Sequence, residues 1–313
     1  MKIRVLGAAA GGGFPQWNCN APLSRAVREN RPGFLARTQS SIAASADGRN
    51  WAVFNASPDI RQQIAATPEL QPRADAPVRS TPIRTVVLTN ADVDHIAGLL
   101  SLREREPFTL YATRRVLDTL AANSIFQVLN PDYVERRELA LEGETELHGP
   151  DGAIGLSIET FSVPGKVALF LEDPDKAYFG TSSGDTIGLA IRKSSHVRQP
   201  DKTLFYVPGC AAVERALKER ISDGGCLLFD GTVFENDEMA RTGVGSKTGA
   251  RMGHLAMGGP EGSLASLADV NLERRIFIHI NNTNPVLDPQ SNEASAVRAA
   301  GWEIAFDGME LEL

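Results

Sequence analysis

The sequence predicts an α/β fold in which two mixed β-sheets pack face to face between outer helices, a four-layer αββα sandwich. Short β-branched or apolar runs recur along the chain, and helical patterns stand between them. No linker rich in Pro, Gly or Ser divides the sequence, and residues 67–82 are the most linker-like stretch. Strands with helices on both sides favour this layered architecture. We therefore expect a single domain over residues 1–313.

The first half of the chain is predicted to build one sheet. A β-branched or apolar pattern indicates each strand, and the turn pair Asp47-Gly48 indicates a hairpin between the second and third. Helical patterns follow the fourth and fifth strands. The predicted strands are 3–6, 41–45, 51–54, 85–88 and 108–111, and the predicted helices are 96–102 and 113–123.

The second half is predicted to build the other sheet. Residues 154–163 alternate apolar and polar side chains, as a half-buried strand does. The remaining runs are shorter, and the chain closes on residues 302–306. The further predicted strands are 167–171, 178–179, 187–191, 203–207, 227–229 and 275–280, and the predicted helices are 211–221 and 292–300.

Composition excludes several functional classes. Lys and Arg total 32 against 39 Asp and Glu, a net charge of -7, so an acidic chain without a basic stripe is not expected to bind nucleic acid. Three widely spaced cysteines, Cys19, Cys210 and Cys226, argue against a disulfide framework and for a reduced, cytoplasmic protein. No apolar run approaches the roughly 20 residues of a membrane span, so no membrane partner is expected.

A corner between a predicted strand and helix carries the densest group of ligand-type side chains. Asn90, Asp92, Asp94 and His95 follow the run 85–88 directly. Many α/β enzymes hold a metal with such side chains at the end of a strand. The spacing resembles the His-x-His-x-Asp-His signature of the metallo-β-lactamase fold, with Asn90 and Asp92 in place of the first two histidines. We expect a metal centre with altered chemistry here.

Two more strand ends carry candidate ligands. Asp230 ends the run 226–229, and His279 follows 275–278 and precedes a turn with three asparagines. Each has a structural alternative, because Asp230 suits an Asx turn and His279 suits a hydrogen-bonded core position. Polar side chains at three strand ends together favour a shared site.

Two loops complete the candidate site. His254 follows a loop rich in Gly, Lys and Arg and is either a proton-transfer residue on a lid or a loop histidine without a special role. The glycine-rich loop at 7–17 does not fit a dinucleotide motif. It is either a tight turn or a close backbone approach that lets Gln16 or Trp17 touch substrate. His148 and His196 are expected at the surface.

Five segments together resemble one family, the pyrroloquinoline quinone biosynthesis protein B family of the metallo-β-lactamase superfamily. They extend from the first predicted strand almost to the end of the chain. They are GAAAGGGFPQWNCN at 7–20, DVDHIAGLL at 92–100, FDGT at 229–232, MGHL at 252–255 and HINNTNP at 279–285.

The resemblance implies a metallo-β-lactamase-like αββα fold and a role in making pyrroloquinoline quinone. The implied step is iron- and oxygen-dependent hydroxylation of the Tyr-derived ring of a small acidic amino acid, in which Glu and Tyr from a ribosomal peptide are cross-linked. Many family members bind a structural zinc through clustered cysteines near the amino terminus. This chain has only Cys19 there, so we expect no structural zinc.

The resemblance also assigns residues. Asn90 and Asp92 occupy ligand positions of the superfamily's first metal site, and the segment Val163-Pro164-Gly165-Lys166 lies where its third histidine is expected, so that site is expected to be dismantled. The second site would keep Asp94, His95 and His279 for one Fe(II), with O2 as co-substrate and Asp230 as a further ligand or an orienting group.

The remaining roles concern protons and substrate. His254 and Asp92 are the catalytic candidates. Lys247, Arg251 and Lys166 are candidates for pairing with substrate carboxylates, and solvated surface cations are the alternative for each. A metal-dependent hydrolase and a non-catalytic carrier of the quinone remain rival functions. The oligomeric state stays open, with a homodimer as one possibility.

Overall fold

The computed structural model describes residues 1–194, 199–222 and 224–313, and within them the strands form two seven-stranded sheets. The expected αββα fold is confirmed. The strands are β1 Lys2–Gly7, β2 Ser41–Ser45, β3 Trp51–Phe54, β4 Ile83–Val87, β5 Phe108–Ala112, β6 Val134–Glu138, β7 Gly143–Gly149, β8 Gly152–Ser162, β9 Ile187–Lys193, β10 Leu204–Val207, β11 Gly224–Asp230, β12 Leu272–Ile278, β13 Glu303–Ile304 and β14 Glu310–Glu312.

Both sheets are mixed. The first has the order β14-β1-β2-β3-β4-β5-β6, antiparallel from β14 to β3 and parallel from β3 to β6. The second has the order β13-β12-β11-β10-β9-β8-β7, parallel from β13 to β10 and antiparallel from there to β7. Each half of the chain thus builds one sheet, except that β14 returns to pair with β1.

The helices are short and lie outside the sheets. In the described part of the chain, the α-helices are α1 Pro22–Arg28, α2 Ile60–Ala66, α3 Val93–Ile96, α4 Arg114–Ala122, α5 Arg215–Ile221, α6 Glu238–Arg241, α7 Gly249–Met252, α8 Ser263–Ser266 and α9 Asn292–Ala299. The side chains of Thr113, Thr248 and Ser291 cap α4, α7 and α9 at their first turns. In each of these three helices a hydroxyl oxygen thus accepts from a backbone N–H group of the first turn.

The main core lies between the two sheets. Alternate strand residues point inward, such as Ile42 and Phe54 from the first sheet and Leu228 and Ile276 from the second. The opposite faces pack against the helices in two further buried clusters. Both faces of the central strands are therefore buried, which is why these strands are almost continuously apolar.

Several predicted elements differ from the observed ones. Residues 169–171 and 177–180 form 3-10 turns rather than strands, because both runs are half exposed and no neighbouring strand pairs with them in the described sheets. Residues 97–102 continue α3 as a 3-10 helix, and α5 begins at Arg215 rather than at 211. His148 lies on β7 rather than in a turn, although it is partly exposed as expected. His196 lies outside the described residues.

The predicted hairpin and the predicted burial of two cysteines are confirmed. The hairpin of β2 and β3 turns at Asp47, which accepts hydrogen bonds from the backbone of Arg49 and Asn50. Cys210 and Cys226 are buried, and burial raises the pKa of each thiol to about 12. No described helix is both long and apolar enough to span a membrane.

Candidate metal centre

The predicted strand ends meet at one edge of the sandwich. His95 lies on α3 after β4, Asp230 ends β11, and His279 follows β12 directly. Isolated bridges join Asn90 to Thr186 and Ala9 to Ile280, so the loops of both sheets are tied together at this edge. A cavity of about 330 Å³ opens there, and Asp94, His95, His254 and His279 line it.

Two overlapping groups of ligand atoms lie in this region. Asp94, His95 and His279 form one, and Asp230, His254 and His279 form the other; within each group the candidate ligand atoms lie within 4.8 Å of one another. Cys19 belongs to neither. Within residues 1–194, 199–222 and 224–313, these are the two places where three or more His, Cys, Asp or Glu side chains lie close enough together to hold a metal ion.

The three histidines are held in the same tautomer. His95 places Nδ1 2.7 Å from Oδ1 of Asn90, His254 places Nδ1 2.7 Å from Oδ2 of Asp230, and His279 places Nδ1 2.7 Å from the hydroxyl of Thr232. The amide oxygen and the carboxylate only accept hydrogen bonds, so His95 and His254 must donate from Nδ1. Thr232 accepts from His279 and donates to Asp230 (2.7 Å). Each Nε2 is thereby left as a lone-pair donor.

The Nε2 atoms of two of these histidines lack suitable partners among the residues that the structure describes. Nε2 of His95 is buried and has no hydrogen-bond partner among the described residues. Nε2 of His279 lies 3.1 Å from Oδ2 of Asp94, so a lone pair faces a carboxylate unless a proton or a cation lies between them. A buried polar atom without a partner is costly. The donor set therefore fits a bound metal cation.

The pKa values at this centre follow from burial and mutual contact. Burial would raise the pKa of Asp94, but His95 and His279 hold it well below its usual value. Burial lowers the pKa of His95 to about 4 despite the nearby Asp94. Burial would also lower the pKa of His279, but the hydrogen bond and charge of Asp94 raise it. Asp94 is thus ionised and His95 neutral near pH 7, as metal ligands require.

The asparagine-rich segment after β12 forms a turn that holds the backbone at His279 in place. His279 has φ of 60°, a left-handed conformation that is rare for a residue with a β-carbon. Asn284 secures the turn by donating to the carbonyl of Gly231 (2.9 Å), and Thr283 donates to the buried carboxyl of Glu238 (2.6 Å). These bonds fix the backbone from which the His279 ring reaches Asp94.

Asp230 lies behind the histidines and does not line the cavity. Its Oδ1 accepts from the backbone and hydroxyl of Thr232, and its Oδ2 accepts from the backbone of Cys210 (2.9 Å) and from His254. Burial would raise the pKa of Asp230, but His254 lowers it. With all these donors from the protein, Asp230 orients His254, and its role as a ligand stays a prediction.

A hydrogen-bonded chain of Asn90, Asp92 and Lys166 lies in the region where the resemblance placed the superfamily's first metal site. Nζ of Lys166 lies 3.3 Å from Oδ1 of Asp92, and Nδ2 of Asn90 donates to Oδ2 of Asp92 (3.1 Å). Asn90 in turn accepts from His95. An ammonium group and two hydrogen-bonding side chains thus stand where the sequence reasoning expected a dismantled metal site.

The predicted substrate residues are only partly brought together. Lys166, Lys247, Arg251 and Gln16 line the cavity. Trp17 does not, and its side chain is 87% exposed, so a substrate contact there receives no support from the geometry. Arg251 is not free, because it pairs with Glu172.

Two residues of this site, Thr232 and Glu172, and the supporting role of Asn90 were not predicted from the sequence. Thr232 joins His279 to Asp230, Asn90 holds His95, and Glu172 pairs with Arg251. Thr232 was detectable as a hydroxyl residue two positions after a strand-end carboxylate. Nothing in the sequence around Glu172 signals its position.

The fold and the strand-end ligands together define a member of the metallo-β-lactamase superfamily. In agreement, the family model described as Beta-lactamase superfamily domain matches residues 50–280. A diphosphatase of the PhnP family shares the fold, with a TM-score of 0.64 at 18% sequence identity, and covers 100% of this chain and 97% of its own.

More similar proteins narrow the assignment. A "Coenzyme PQQ synthesis protein B" of Xanthomonas oryzae pv. oryzae is 49% identical over the full length of both chains. The Zn²⁺-bound crystal structure of PqqB from Methylobacterium extorquens is 50% identical, has a TM-score of 0.92 and likewise covers all of both chains. The chain belongs to the coenzyme PQQ synthesis protein B family.

The zinc in that crystal structure bears on the predicted cofactors. It shows Zn²⁺ bound in a protein 50% identical to this chain and counts mildly against the expectation that a structural zinc is absent. The expectation that no structural zinc binds near Cys19 stays a prediction.

Proposed function

We propose that this chain acts in pyrroloquinoline quinone biosynthesis as a mononuclear non-haem iron hydroxylase. The role in biosynthesis is supported by the family to which the chain belongs. The chemistry is supported by one observation: Asp94, His95 and His279 form a set of two imidazoles and one carboxylate beside an open cavity. Such a set leaves coordination positions free on one face and suits Fe(II) and O2.

Metal binding and proton transfer are assigned to different residues at this site. Asp94, His95 and His279 would hold Fe(II), which supplies oxygen activation when it is bound. His254 holds its Nδ1 proton against Asp230 and lines the cavity, so its Nε2 is placed to accept a proton from a substrate hydroxyl. Asp92 pairs with Lys166 at 3.3 Å on the wall of the same cavity.

The substrate is a small acidic amino acid derived from a ribosomal peptide, in which Glu and Tyr are cross-linked. Lys166, Lys247 and Arg251 line the cavity and supply positive charge for its carboxylates. The cavity wall also includes Leu169 and Phe170, against which an aromatic ring can pack.

A metal-dependent hydrolase is the second candidate. Asp230, His254 and His279 form a second group of candidate ligand atoms, and a hydrolase would use one or two bound metals to activate water. The donors that already surround Asp230 count against it. A carrier of the quinone product is the third candidate, and it needs only the cations and the cavity.

The test is an oxygen-incorporation assay. The protein is purified without oxygen, loaded with Fe(II) and mixed under labelled O2 with a two-electron reductant and a Glu-Tyr cross-linked amino acid or a Tyr analogue, so that one oxygen atom can enter the ring while the other is reduced to water. We expect a gain of one labelled oxygen atom in the ring by mass spectrometry. Asp94→Ala and His279→Ala are expected to lose both iron and product, whereas His148→Ala, a change in a partly exposed histidine on β7, keeps both.

The other outcomes are equally informative. No oxygen gain with any metal or reductant would exclude the hydroxylase. Cleavage of a substrate bond without oxygen uptake would identify a hydrolase, and stoichiometric binding of the quinone without turnover would identify a carrier. Full iron loading of both alanine variants would exclude the proposed ligands.

A further inference from the structure

The carboxylate of Glu172 is bound to the guanidinium group of Arg251 at the cavity. Arg251 lies on α7, and Glu172 follows the 3-10 turn at 169–171. Nη1 donates to Oε1 at 2.9 Å and Nη2 donates to Oε2 at 2.6 Å, a bidentate pair. This is the arrangement with which Arg binds the carboxylates of ligands.

The face of the Arg251 guanidinium also packs against the ring of Phe179. Its central carbon lies 4.0 Å from the ring centroid of Phe179, so stacking holds the plane while Glu172 occupies the edge. A guanidinium held on an aromatic ring loses little conformational freedom when it binds a carboxylate. Arg251 is therefore prepared to bind a carboxylate whether or not Glu172 remains.

Glu172 lies among three cations. The hydrogen bond from Arg251 lowers the pKa of Glu172 most, burial opposes that shift, and the charges of Arg251, Lys166 and Lys247 lower it further. Glu172 and all three cations line the same cavity as the candidate metal ligands. An acidic ligand in the place of the Glu172 carboxylate would therefore meet the charges of Arg251, Lys166 and Lys247.

We propose that Arg251 is a subsite for a ligand carboxylate and that Glu172 is an internal substitute which the ligand displaces. The inference deepens the proposed function and rests on it in one respect, namely that the ligand is acidic. Exchange replaces one arginine–carboxylate pair by another, so an acidic ligand completes it without leaving Arg251 unpaired. A neutral ligand cannot displace Glu172 without leaving two charges unpaired, which makes the pair a device for specificity.

A purely structural ion pair is the competing explanation. In that case Glu172 only fastens the segment before β9 to α7, and its loss would leave ligand binding unchanged or weaken it. The two explanations therefore predict opposite effects of removing the Glu172 charge.

The test is a double-mutant cycle on the metal-free protein, so that it does not depend on catalysis. The probe is pyrroloquinoline quinone, a tricarboxylate, and its neutral trimethyl ester is the matched control ligand. Affinities are measured by calorimetry for the wild-type protein, Glu172→Gln, Arg251→Gln and the double variant. Glu235→Gln serves as the control variant, because Glu235 pairs with Arg241 away from the cavity.

We expect Glu172→Gln to bind the tricarboxylate about tenfold more tightly and Arg251→Gln to bind it about tenfold more weakly. The gain is expected to disappear in the double variant, since it acts through Arg251. Glu235→Gln and the ester are expected to show no change.

Three results would overturn the inference. A gain in affinity that persists without Arg251 would be a general charge effect, unchanged or weaker binding to Glu172→Gln would indicate a structural ion pair, and undetectable binding to Glu172→Gln would exclude the subsite. If the protein hydroxylates its substrate but the expected affinity changes are not found, the subsite is excluded and the proposed function stands. If the affinity changes are found but hydroxylation is not, the subsite stands and belongs to a carrier or a hydrolase.

Discussion

Asn90 stands at a position where the superfamily signature has a metal-binding histidine, and its side chain supports a neighbouring histidine instead. Its Oδ1 accepts from Nδ1 of His95 at 2.7 Å and from the backbone of Asp92 at 3.0 Å. Hydrogen bonds of this kind fix the tautomer and ring orientation of a metal ligand. We expect Asn90→Leu to weaken Zn²⁺ binding about 10- to 100-fold in a chelator-competition titration.

Two variants separate this effect from misfolding and from charge. Asn90→Asp keeps an acceptor for His95, so it is expected to retain most of the affinity. His148→Leu removes a histidine on β7 and is expected to change nothing. If Asn90→Leu binds Zn²⁺ as tightly as the wild-type protein while its melting temperature is unchanged, Asn90 does not position His95.

Residue types at strand ends carried most of the site prediction. Asp94, His95 and His279 converge because the strand ends before them lie at one edge of the sandwich, and that convergence follows from the fold. The roles of Asn90 and Glu172 depend on side-chain rotamers and on the path of an irregular loop. Neither leaves a periodic trace in the sequence, so both required the structure.

At the scale of elements, the short helix α3 reaches its place through direct backbone contact. The backbone of Ala56 donates to the carbonyl of His95 (2.7 Å), and the backbone of Gly98 donates to the carbonyl of Ala56 (2.9 Å). A β-carbon at Gly98 would lie 2.0 Å from the carbonyl oxygen of Ser57. The glycine is therefore what lets the helix that carries Asp94 and His95 dock against the loop after β3.

We expect Gly98→Ala to lower the free energy of unfolding by about 1–3 kcal/mol, as overpacking does, and also to weaken metal binding. Chemical denaturation of the metal-free protein measures the first effect and metal titration the second. Gly308→Ala is the comparison, because Gly308 has φ of 87° but open space around its α-carbon. Gly308→Ala adds backbone strain without a clash and is expected to leave metal binding unchanged. A Gly98→Ala protein with unchanged metal affinity would contradict the docking argument.

Elements with two buried faces were predictable, and edge elements were not. The strands β4, β10 and β11 read as apolar runs because both faces are covered. The strands β6 and β7 lie at sheet edges, and β6 is rich in Glu and Arg while β7 carries two Glu and two Gly, so their pattern resembles a loop. The opposite error occurred at 167–171, where an apolar run lines the cavity mouth instead of joining a sheet.

At the scale of the whole molecule, the two sheets are interlocked by the path of the chain. The second half builds one sheet, yet its last strand, β14, pairs antiparallel with β1 of the other. Leu311 of β14 is 4% exposed and packs in the core between the sheets. Hydrophobic periodicity could predict two sheets, but not this crossover, because β14 is three residues long and bears two glutamates.

The interlocked path predicts that the protein unfolds as one unit, which also tests the expectation of a single domain. Differential scanning calorimetry is expected to give one transition with equal calorimetric and van't Hoff enthalpies. Leu311→Ala removes buried methyl groups from the shared core and is expected to cost about 2–5 kcal/mol. The whole transition should then move to lower temperature, whereas Glu312→Ala, an exposed change on the same strand, should leave it within about 0.5 kcal/mol. Two transitions, of which Leu311→Ala moves only one, would mean that the sheets belong to separate domains and that β14 contributes to one of them alone.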